Sequence, residues 1–520
     1  MSVRVRFAPS PTGMLHVGAL RTVLYDHLFA KKHGGIHILR MEDTDRSRYN
    51  PDSEAEFIES LRWVGIDFDE GPHVGGPHGP YRQSERKEAG IYQPWIELLL
   101  EQGHAYPAFD TAEELDEMRQ VQTLNRQPVG YFGGKWRDAG PEEVARAKAA
   151  GTPFVIRQRI PRGRSIVMQD AIRGRIEFDS DEVDDTVLIK SDGMPTYHFA
   201  AMVDDHLMGI THVLRGEEWI SSAAKHAMLY EMFGWEMPVF VHCPVIKGPD
   251  GKKLSKRHGA TRVLDYRSEG YLPEALKNFI ALIGWSPGGD REIMSEPEMI
   301  EAFDLSGLQP SPGLFDYEKL RWMNGHYIRA LEPVELERRV LAFAGDPDVL
   351  AYWTGKERDP EMPHAADPEE VLAGLRRLRE SSEREPSLSR DALALEQPRV
   401  TTLADFGPAT RFFFEDEPAM DPKAAEKWLT TPSARELFEF LIEALPSVAA
   451  SSPEAYETLL REYAERAGLE KLGPVVHPTR VALTGKTAGP GLFELMAALG
   501  TERMISRLRR ALDFMVIKQG

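Results

Sequence analysis

The fold is decided by residues 3–45, which read VRVRFAPSPTGMLHVGALRTVLYDHLFAKKHGGIHILRMEDTD. Residues 3–8 alternate between apolar and polar side chains, as a half-buried strand does, and residues 16–33 carry apolar side chains at helical spacing. Two glycines then end the helix, and residues 36–41 form a second apolar run. This strand–helix–strand order predicts the opening of a doubly wound α/β sheet, in which ligands bind beyond the carboxyl ends of the strands.

The turn between the first strand and the helix carries the first functional signal. It reads PSPTGMLHVG over residues 9–18 and places Ser10, His16 and Gly18 where the helix begins. A helix N-terminus offers unpaired N–H groups and a partial positive charge, so it binds anions readily. Gly18 has no Cβ and lets a ligand approach the backbone, and His16 could donate a hydrogen bond to a phosphate or a ribose. The alternative is that His16 only caps the helix.

The second signal is a cationic segment, KKLSKR over residues 252–257, in which Lys253 and Lys256 bracket Ser255. A lysine on a glycine-containing loop can reach a polyphosphate, and a cation that meets charge developing on a leaving pyrophosphate accelerates its transfer. A solvated charged loop is the alternative interpretation. Taken together, the two segments predict two sides of one nucleotide triphosphate site.

Composition limits the class of protein. A chain of 520 residues predicts several domains. A net charge of −19 argues against a protein that coats nucleic acid, although local basic patches could still bind RNA. The one cysteine, Cys243, excludes an intramolecular disulfide and is expected to be a buried thiol. Neither a signal-peptide pattern nor an apolar stretch of ~20 residues is present, so we expect a cytoplasmic protein without a membrane segment.

Three further segments receive structural interpretations. Residues 484–487, TGKT, resemble the end of a phosphate-binding Walker loop, but Arg480 stands where that pattern needs glycine, so we expect a turn between helices. Asp204, Asp205 and His206 are expected to pair within the fold rather than to bind a metal. The charged stretches 356–370 and 380–390 are expected to be surface linkers or insertions.

The two functional segments resemble the signatures of class I aminoacyl-tRNA synthetases. HVGA at residues 16–19 is similar to the HIGH signature, and KLSKR at residues 253–257 is similar to the KMSKS signature. The resemblance narrows to the glutamyl-tRNA synthetase family on eight further segments and is dense to about residue 330. These segments are RFAPSPTG (6–13), RMEDTD (40–45), YRQSER (81–86), KSDG (190–193), PTYH (195–198), VDDH (203–206), RGEEW (215–219) and LRWMNG (320–325).

The resemblance implies the domain organisation. A Rossmann-type nucleotide-binding domain would comprise residues 1–85 and 191–231, with an α/β domain for the tRNA acceptor end inserted at 86–190. A domain that contacts the tRNA stem and carries the cationic segment would follow at 232–330. Two mostly α-helical anticodon-binding domains would then occupy 331–411 and 412–520.

The resemblance also implies the reaction. Glutamate and ATP, the latter with Mg²⁺, would give glutamyl-adenylate and pyrophosphate, and the glutamyl group would pass to tRNA(Glu) with release of AMP. In this family, activation depends on bound tRNA. Zinc is not expected, since residues 103–138 lack the cysteines of the zinc site that some family members carry. The chain is expected to be a monomer.

Site residues follow from the resemblance, position by position. Arginine forks match carboxylates, Glu42 could take the ammonium of glutamate, and Tyr197 could add a hydrogen bond. For each arginine the alternative is a surface ion pair of little worth. The implied sets are Arg6, Ala8, Ser10, Glu42, Tyr197 and Arg215 for glutamate; His16, Gly18, Glu218 and Lys256 for ATP; His16, Gly18, Lys253, Ser255 and Lys256 for catalysis; and Arg399 for the third anticodon base.

Other functions stay open at this point. A glutaminyl-tRNA synthetase must reject a charged side chain and usually has a β-barrel C-terminal half, which the helical spacing after residue 330 disfavours. A non-discriminating glutamyl-tRNA synthetase would also charge tRNA(Gln). An enzyme that glutamylates a modified tRNA base would lack the anticodon-binding half. A non-catalytic, nucleotide-dependent RNA-binding factor would show no pyrophosphate exchange.

Overall fold

The computed structural model describes residues 2–255, 261–357, 366–448 and 451–519. Its strands are β1 (Arg4–Phe7), β2 (Ile36–Leu39), β3 (Ala105–Ala108), β4 (Val155–Gln158), β5 (Ser165–Asp170), β6 (Gly174–Asp179), β7 (Val187–Ile189), β8 (His212–Gly216), β9 (Val239–Cys243), β10 (Ile246–Lys247) and β11 (Gly313–Leu314).

The helices are α1 (Val17–Lys32), α2 (Pro51–Trp63), α3 (Gln83–Glu88), α4 (Gln93–Glu101), α5 (Ala112–Leu124), α6 (Pro141–Ala149), α7 (Tyr197–Leu207), α8 (Ala223–Phe233), α9 (Val263–Ser268), α10 (Pro273–Ala281), α11 (Glu296–Ala302), α12 (Tyr317–Arg329), α13 (Pro333–Gly345), α14 (Pro347–Gly355), α15 (Pro368–Arg384), α16 (Pro386–Glu396), α17 (Phe406–Phe414), α18 (Pro422–Trp428), α19 (Pro432–Ala444), α20 (Pro453–Arg466), α21 (Gly473–Thr484) and α22 (Leu492–Gln519). The chain divides into two compact units, Met1–Val263 with Leu276–Asp316, and Leu264–Ala275 with Tyr317–Gly520.

The first unit is built on a parallel sheet. Strand β1 pairs with β2 in parallel, with α1 between them along the chain, and β8 pairs with β9 in parallel, with α8 between them. The N–H of Thr211, just before β8, donates to the carbonyl of Arg4 at 2.9 Å and so places β8 beside β1. The chain therefore winds outward in both directions from β1 and β8, as predicted. The carboxyl ends of these two strands meet at the switch point, where doubly wound sheets bind ligands.

Apolar spacing explains how α1 lies against this sheet. Leu20, Leu24 and Leu28 recur every fourth residue and are each no more than 1% exposed, so they form one buried stripe. At the end of the helix Gly34 has φ +56°, and Gly35 approaches the Val3 carbonyl so closely that a Cβ would not fit. The two glycines therefore return the chain directly into β2.

Residues between α4 and α7 form a second, antiparallel sheet in the order β3–β4–β7. A small cluster of buried aromatic side chains, Tyr106, Phe109, Tyr131 and Trp136, packs beside it. The hairpin of β5 and β6 instead joins the parallel sheet, since Asp170 of β5 pairs with Phe240 of β9. The domain boundaries implied by the resemblance remain predictions.

The second unit is helical around one large apolar core. Arg507 of α22 is buried there and donates to the carbonyls of Leu483, Phe412 and Glu415, at 2.6 Å each, at the ends of α21 and α17. Residues 485–487 lie between α21, which ends at Thr484, and α22, so the interpretation of this segment as a turn between helices is confirmed.

The prediction that residues 380–390 are a linker is wrong. They belong to α15 and α16 apart from Glu385 between the two helices. The high charge there lies outside a stripe of buried residues, Val371, Leu375, Leu378 and Ser381, at helical spacing. Most of the other expected linker, 356–370, lies outside the described residues.

Cys243 ends β9 and is 1% exposed, so the expectation of a buried thiol is confirmed. Burial raises the pKa of this thiol to about 12. No helix within the described ranges has the length and apolar character needed to cross a membrane.

Candidate active site

Polar side chains gather at the switch point between β1 and β8. Arg6 lies in β1, Glu42 follows β2, and Arg215 lies in β8. Each of the three is 4–5% exposed. The interpretation of the two arginines as surface ion pairs is therefore wrong, because a guanidinium is rarely buried unless something holds it.

Arg6 belongs to a balanced cluster of buried charges. Its Nε donates to Oδ1 of Asp205 at 3.0 Å, and Arg40 donates to the same oxygen at 2.8 Å and to Glu42 at 2.9 Å. The adjacent Asp204 accepts from Arg86 at 2.6 Å. Three arginines thus face three carboxylates, and the expectation that the two aspartates pair within the fold is confirmed.

The cluster shifts the pKa values of its acids in opposite directions. Burial raises the pKa of Glu42 to about 6, against the positive charges of Arg40 and Arg6, which lower it. Burial would likewise raise the pKa of Asp205, but Arg6 and Arg40 together hold it below its usual value. Glu42 therefore changes charge at a pH closer to neutral than Asp205 does.

Arg215 is held differently. Its Nε donates to Nε2 of His242 at 3.0 Å, and its Nη1 lies 3.0 Å from Nδ1 of His226 and 3.4 Å from the Tyr197 hydroxyl. The guanidinium carbon lies 4.9 Å from the centre of the Phe240 ring. Within the described residues Arg215 has no ion-pair partner, and its Nη2 has no hydrogen-bond acceptor. Its positive charge is thus not balanced by a carboxylate in direct contact among the described residues.

The two histidines that hold Arg215, His226 and His242, were not predicted from the sequence. His242 is buried in β9 and its Nδ1 lies 2.7 Å from Asp170, while Nε2 of the buried His226 in α8 lies 3.0 Å from Nδ1 of His198. Burial lowers the pKa of His242 and lowers that of His226 well below its usual value. The only signal in the sequence was a histidine within an otherwise apolar segment, which is common in protein cores.

His16 caps α1, as its alternative interpretation proposed. Its Nδ1 accepts from the N–H of Ala19 at 3.2 Å, so in the neutral ring Nε2 carries the proton and can donate to a ligand. Partial desolvation and the positive charge of Lys253 lower the pKa of His16, while Glu218 opposes the shift. The histidine of the first segment, the lysine of the second and Glu218 therefore lie near one another.

Backbone hydrogen bonds anchor the chain before and after residues 256–260, and the second of these bonds is made with α1. The N–H of Leu254 donates to Ile246 at 2.9 Å on one side, and the N–H of Val17 donates to Thr261 at 3.0 Å on the other. Ser255 is half-buried at the end of the described stretch, and the predicted site residue Lys256 lies outside the described residues. The two segments, far apart in sequence, therefore meet at the N-terminus of α1.

Two glycines position site residues. A Cβ on Gly18 would lie 3.1 Å from Nδ1 of His16, so this glycine leaves room for the capping ring. Gly216 has the Glu218 carboxylate folded over it, where a Cβ would not fit. Each glycine thus makes room for a neighbouring side chain of the site. For Gly18 this contact is additional to the predicted approach of a ligand to its backbone.

The remaining predicted residues of the first unit lie at the same edge. Ala8 and Ser10 directly follow β1, and the neighbouring Pro9 carbonyl accepts from the N–H of Glu42 at 2.9 Å. Tyr197 begins α7, with its ring centre 4.3 Å from that of Trp219. No group of three or more metal-ligating side chains occurs in the described part of the chain.

Arg399 lies in the second unit in a group of cations. Its Nε lies 3.5 Å from the buried Glu396. Burial raises the pKa of Glu396, while Arg399, Lys486 and Arg480 lower it, so all three cations are near this carboxylate. The proximity of Arg480 and Lys486 to Arg399 was not predicted, because nothing in the sequence indicates that the two segments meet.

Comparisons with known proteins agree with this arrangement. Residues 2–322 match the catalytic domain of class I tRNA synthetases (E and Q), and residues 363–512 match an anticodon binding domain. Glutamate–tRNA ligase of Thermus thermophilus is 42% identical over 98% of this chain and 100% of its own length. The corresponding ligase of Acidothermus cellulolyticus is 43% identical over 98% of this chain and 95% of its own length.

A solved structure gives the same result. The crystal structure of a glutamate tRNA ligase from Elizabethkingia meningosepticum in complex with its amino acid is 38% identical to this chain, with a TM-score of 0.85. The match covers 99% of this chain and 100% of that one. The chain therefore belongs to the glutamate–tRNA ligase family of class I tRNA synthetases.

Proposed function

We propose that this chain attaches L-glutamate to tRNA(Glu), using ATP with Mg²⁺ and passing through a glutamyl-adenylate. The observation that carries the proposal is Arg215, a buried guanidinium at the switch point whose partners among the described residues are all uncharged. Burying a charge without a counter-ion is unfavourable, so the site gains from a ligand that brings a carboxylate.

Glutamate supplies what this edge of the sheet lacks. Its side-chain carboxylate would bind Arg215, with the hydroxyl of Tyr197 beside it. Its ammonium would bind Glu42, which must be ionised to attract it, and Arg6 would lie beside the bound amino acid. Ala8 and Ser10 would line the pocket through the turn that follows β1.

ATP would lie at the N-terminus of α1. The helix amides, Gly18 and the Nε2–H of His16 would face phosphate, and Glu218 would contact the nucleotide. Lys253, Ser255 and Lys256 would meet the leaving pyrophosphate, and Mg²⁺ would arrive with the triphosphate. The α-carboxylate of glutamate would attack the α-phosphorus, and the bond to the β-phosphate would break. A carboxylate is already a nucleophile at neutral pH, so positioning and charge stabilisation dominate.

We further propose that the second unit reads the anticodon. The cations Arg399, Arg480 and Lys486 would contact unstacked bases and their phosphates around Glu396. The segment at 86–190 would hold the acceptor end, where the glutamyl group is transferred. A cytoplasmic monomer is the assembly that we expect, and light scattering on the purified chain would test its mass.

The direct test measures pyrophosphate exchange and aminoacylation with glutamate or glutamine, each with tRNA(Glu) or tRNA(Gln), and measures exchange again without tRNA. We expect charging of tRNA(Glu) with glutamate and exchange only when tRNA is present. Charging of tRNA(Gln) with glutamate would indicate a non-discriminating enzyme. The proposed reaction would be refuted if exchange were absent under all four conditions with tRNA.

A matched pair of variants tests the site. Lys253→Met should slow adenylate formation at least about tenfold, since a cation that meets the leaving group acts on the transition state. Lys252→Met, its exposed neighbour, should change the rate less than about threefold. Equal effects of the two substitutions would mean that the segment contributes only diffuse positive charge.

A further inference from the structure

We propose that His226 and His242 are positioning residues that hold Arg215 without neutralising it, and that this neutral clamp sets the preference for a carboxylate over an amide on the substrate side chain. The inference rests on the proposed binding of glutamate at Arg215. It goes beyond that proposal because it assigns a role to two histidines that would not touch the substrate.

The two arginines of the pocket provide the contrast that carries this inference. Arg6 donates to a buried carboxylate, Asp205, at 3.0 Å, so the protein already supplies its counter-ion. Arg215, equally buried, donates to two imidazole nitrogens at 3.0 Å each. Both side chains are held firmly, but only Arg215 keeps a full positive charge available. A carboxylate in place of either imidazole would fix the guanidinium equally well and would remove that charge.

The hydrogen-bond chain requires both histidines to be neutral. A guanidinium only donates, so Nε2 of His242 and Nδ1 of His226 must accept. The proton of His242 then lies on Nδ1, which donates to Asp170 at 2.7 Å, and that of His226 lies on Nε2, which donates to Nδ1 of His198 at 3.0 Å. In each histidine the ring nitrogen that faces Arg215 is therefore an acceptor. The other ring nitrogen carries the proton and donates it, to Asp170 from His242 and to His198 from His226.

The carboxylates around the clamp are engaged elsewhere. Asp170 accepts from His242 and from the N–H groups of Ile172 and Arg173, at 2.8–2.9 Å for the two backbone donors. Asp184 pairs with Lys225, the neighbour of His226, at 2.6 Å. Burial lowers the pKa of His198 to about 4, so this outer ring stays neutral as well. Glutamine offers Arg215 only a carbonyl dipole, whereas glutamate offers a full charge.

The test exploits two substitutions of equal shape. In His226→Asn the amide oxygen can take the place of Nδ1 as a neutral acceptor, and in His226→Asp an oxygen in the same place carries a negative charge. The measured quantity is the ratio of kcat/KM for glutamate to kcat/KM for glutamine, with tRNA(Glu) present. We expect His226→Asn to keep this ratio within about threefold of the unmodified chain. His226→Asp should lower it at least about tenfold, mainly through a higher KM for glutamate.

Controls separate this proposal from the proposed function and from misfolding. His206→Asn and His206→Asp make the same pair of changes at an exposed position on α7 and should leave the ratio unchanged. If the unmodified chain does not activate glutamate, the proposed function fails first. If it does, and the two His226 variants show the same ratio, the neutral clamp is refuted. Loss of activity in both variants with normal thermal unfolding would also refute it, because geometry alone would then matter.

Discussion

Asp205→Asn tests whether the charge of the buried cluster, rather than its hydrogen bonds, stabilises the first unit. Both hydrogen bonds to Asp205 arrive at Oδ1, from Arg6 at 3.0 Å and from Arg40 at 2.8 Å. Its Oδ2 has no hydrogen-bond partner among the described residues. An asparagine with its oxygen at the Oδ1 position could therefore keep both bonds and place its amide nitrogen where no donor would oppose it. The substitution removes the charge and leaves the geometry.

The magnitude follows from the balance of the cluster. Removing the charge of Asp205 leaves three arginines facing Glu42 and Asp204, so Arg6 and Arg40 lose the buried carboxylate that they share. Each close pair contributes about 4 kcal/mol of Coulomb energy at an effective dielectric of about 20, and the desolvation of the aspartate offsets part of the sum. Breaking one partner of a buried network costs about 3–5 kcal/mol of unfolding free energy. For a unit of this size, whose unfolding entropy is about 2.1 cal/mol/K per residue, that corresponds to a fall in Tm of roughly 5–8 °C.

Scanning calorimetry on the full chain would measure this effect. The two units need not unfold together, so the transition of the first unit would be identified as the one that added ATP and glutamate shift upward. The control is Asp45→Asn, which removes an exposed carboxylate paired with Arg48 and should leave that transition unchanged. A fall below about 2 °C for Asp205→Asn would refute the reasoning, because the hydrogen bonds alone would then hold the cluster.

Three other perturbations have defined outcomes. Because the pKa of Glu42 is raised to about 6, its carboxylate is protonated below that pH, and kcat/KM for glutamate should fall about tenfold per unit of pH below 6. Glu42→Gln should flatten this pH profile. If the fall below pH 6 were unchanged in that variant, another group would be responsible for it. Gly18→Ala should displace the His16 ring and raise the KM for ATP several-fold. Gly13→Ala, whose new Cβ has nothing within 4 Å, should change this KM less than twofold. Equal effects of the two variants would show that ATP binding does not depend on the position of the His16 ring. Arg507→Met should lower the Tm of the second unit, since each buried carbonyl left unpaired costs about 1–3 kcal/mol. Arg503→Met removes only a partly exposed ion pair with Glu385 and should leave this Tm almost unchanged. Similar shifts in Tm for the two variants would mean that water replaces the guanidinium of Arg507.

The sequence was sufficient for the outline of the fold because the deciding patterns are local. The alternation before Pro9, the apolar stripe of α1 and the glycines after it are all read within a few residues of each other, and each reflects a backbone preference or one buried face. The linker predicted at 380–390 was wrong for the same reason. Charge density there suggested solvation, but a helix can present charge on one side while Leu378 and Ser381 are buried on the other.

The site was predictable only where the residues of one short motif are by themselves enough to indicate ligand binding. A helix N-terminus with a histidine and a glycine, or lysines around a serine, indicates anion binding without any knowledge of neighbours. The partners of those residues come from elsewhere in the chain. Asp205 lies in α7 and reaches Arg6 in β1, and nothing local to either residue indicates that pairing.

Arg6 and Arg215 are residues of the same type, and they differ in the side chains that accept their hydrogen bonds. Both are buried arginines at the carboxyl ends of adjacent strands, and a motif comparison gives them the same description. The difference arises because α7 brings an aspartate to Arg6, whereas α8 and β9 bring imidazoles to Arg215. One guanidinium thereby has a buried carboxylate as its counter-ion, while the other has none among the described residues, and in the proposed function its charge binds the ligand. His226→Asp would leave the segments that carry the family resemblance intact and would give both arginines a carboxylate partner, so under this proposal the choice of substrate depends on a residue outside those segments.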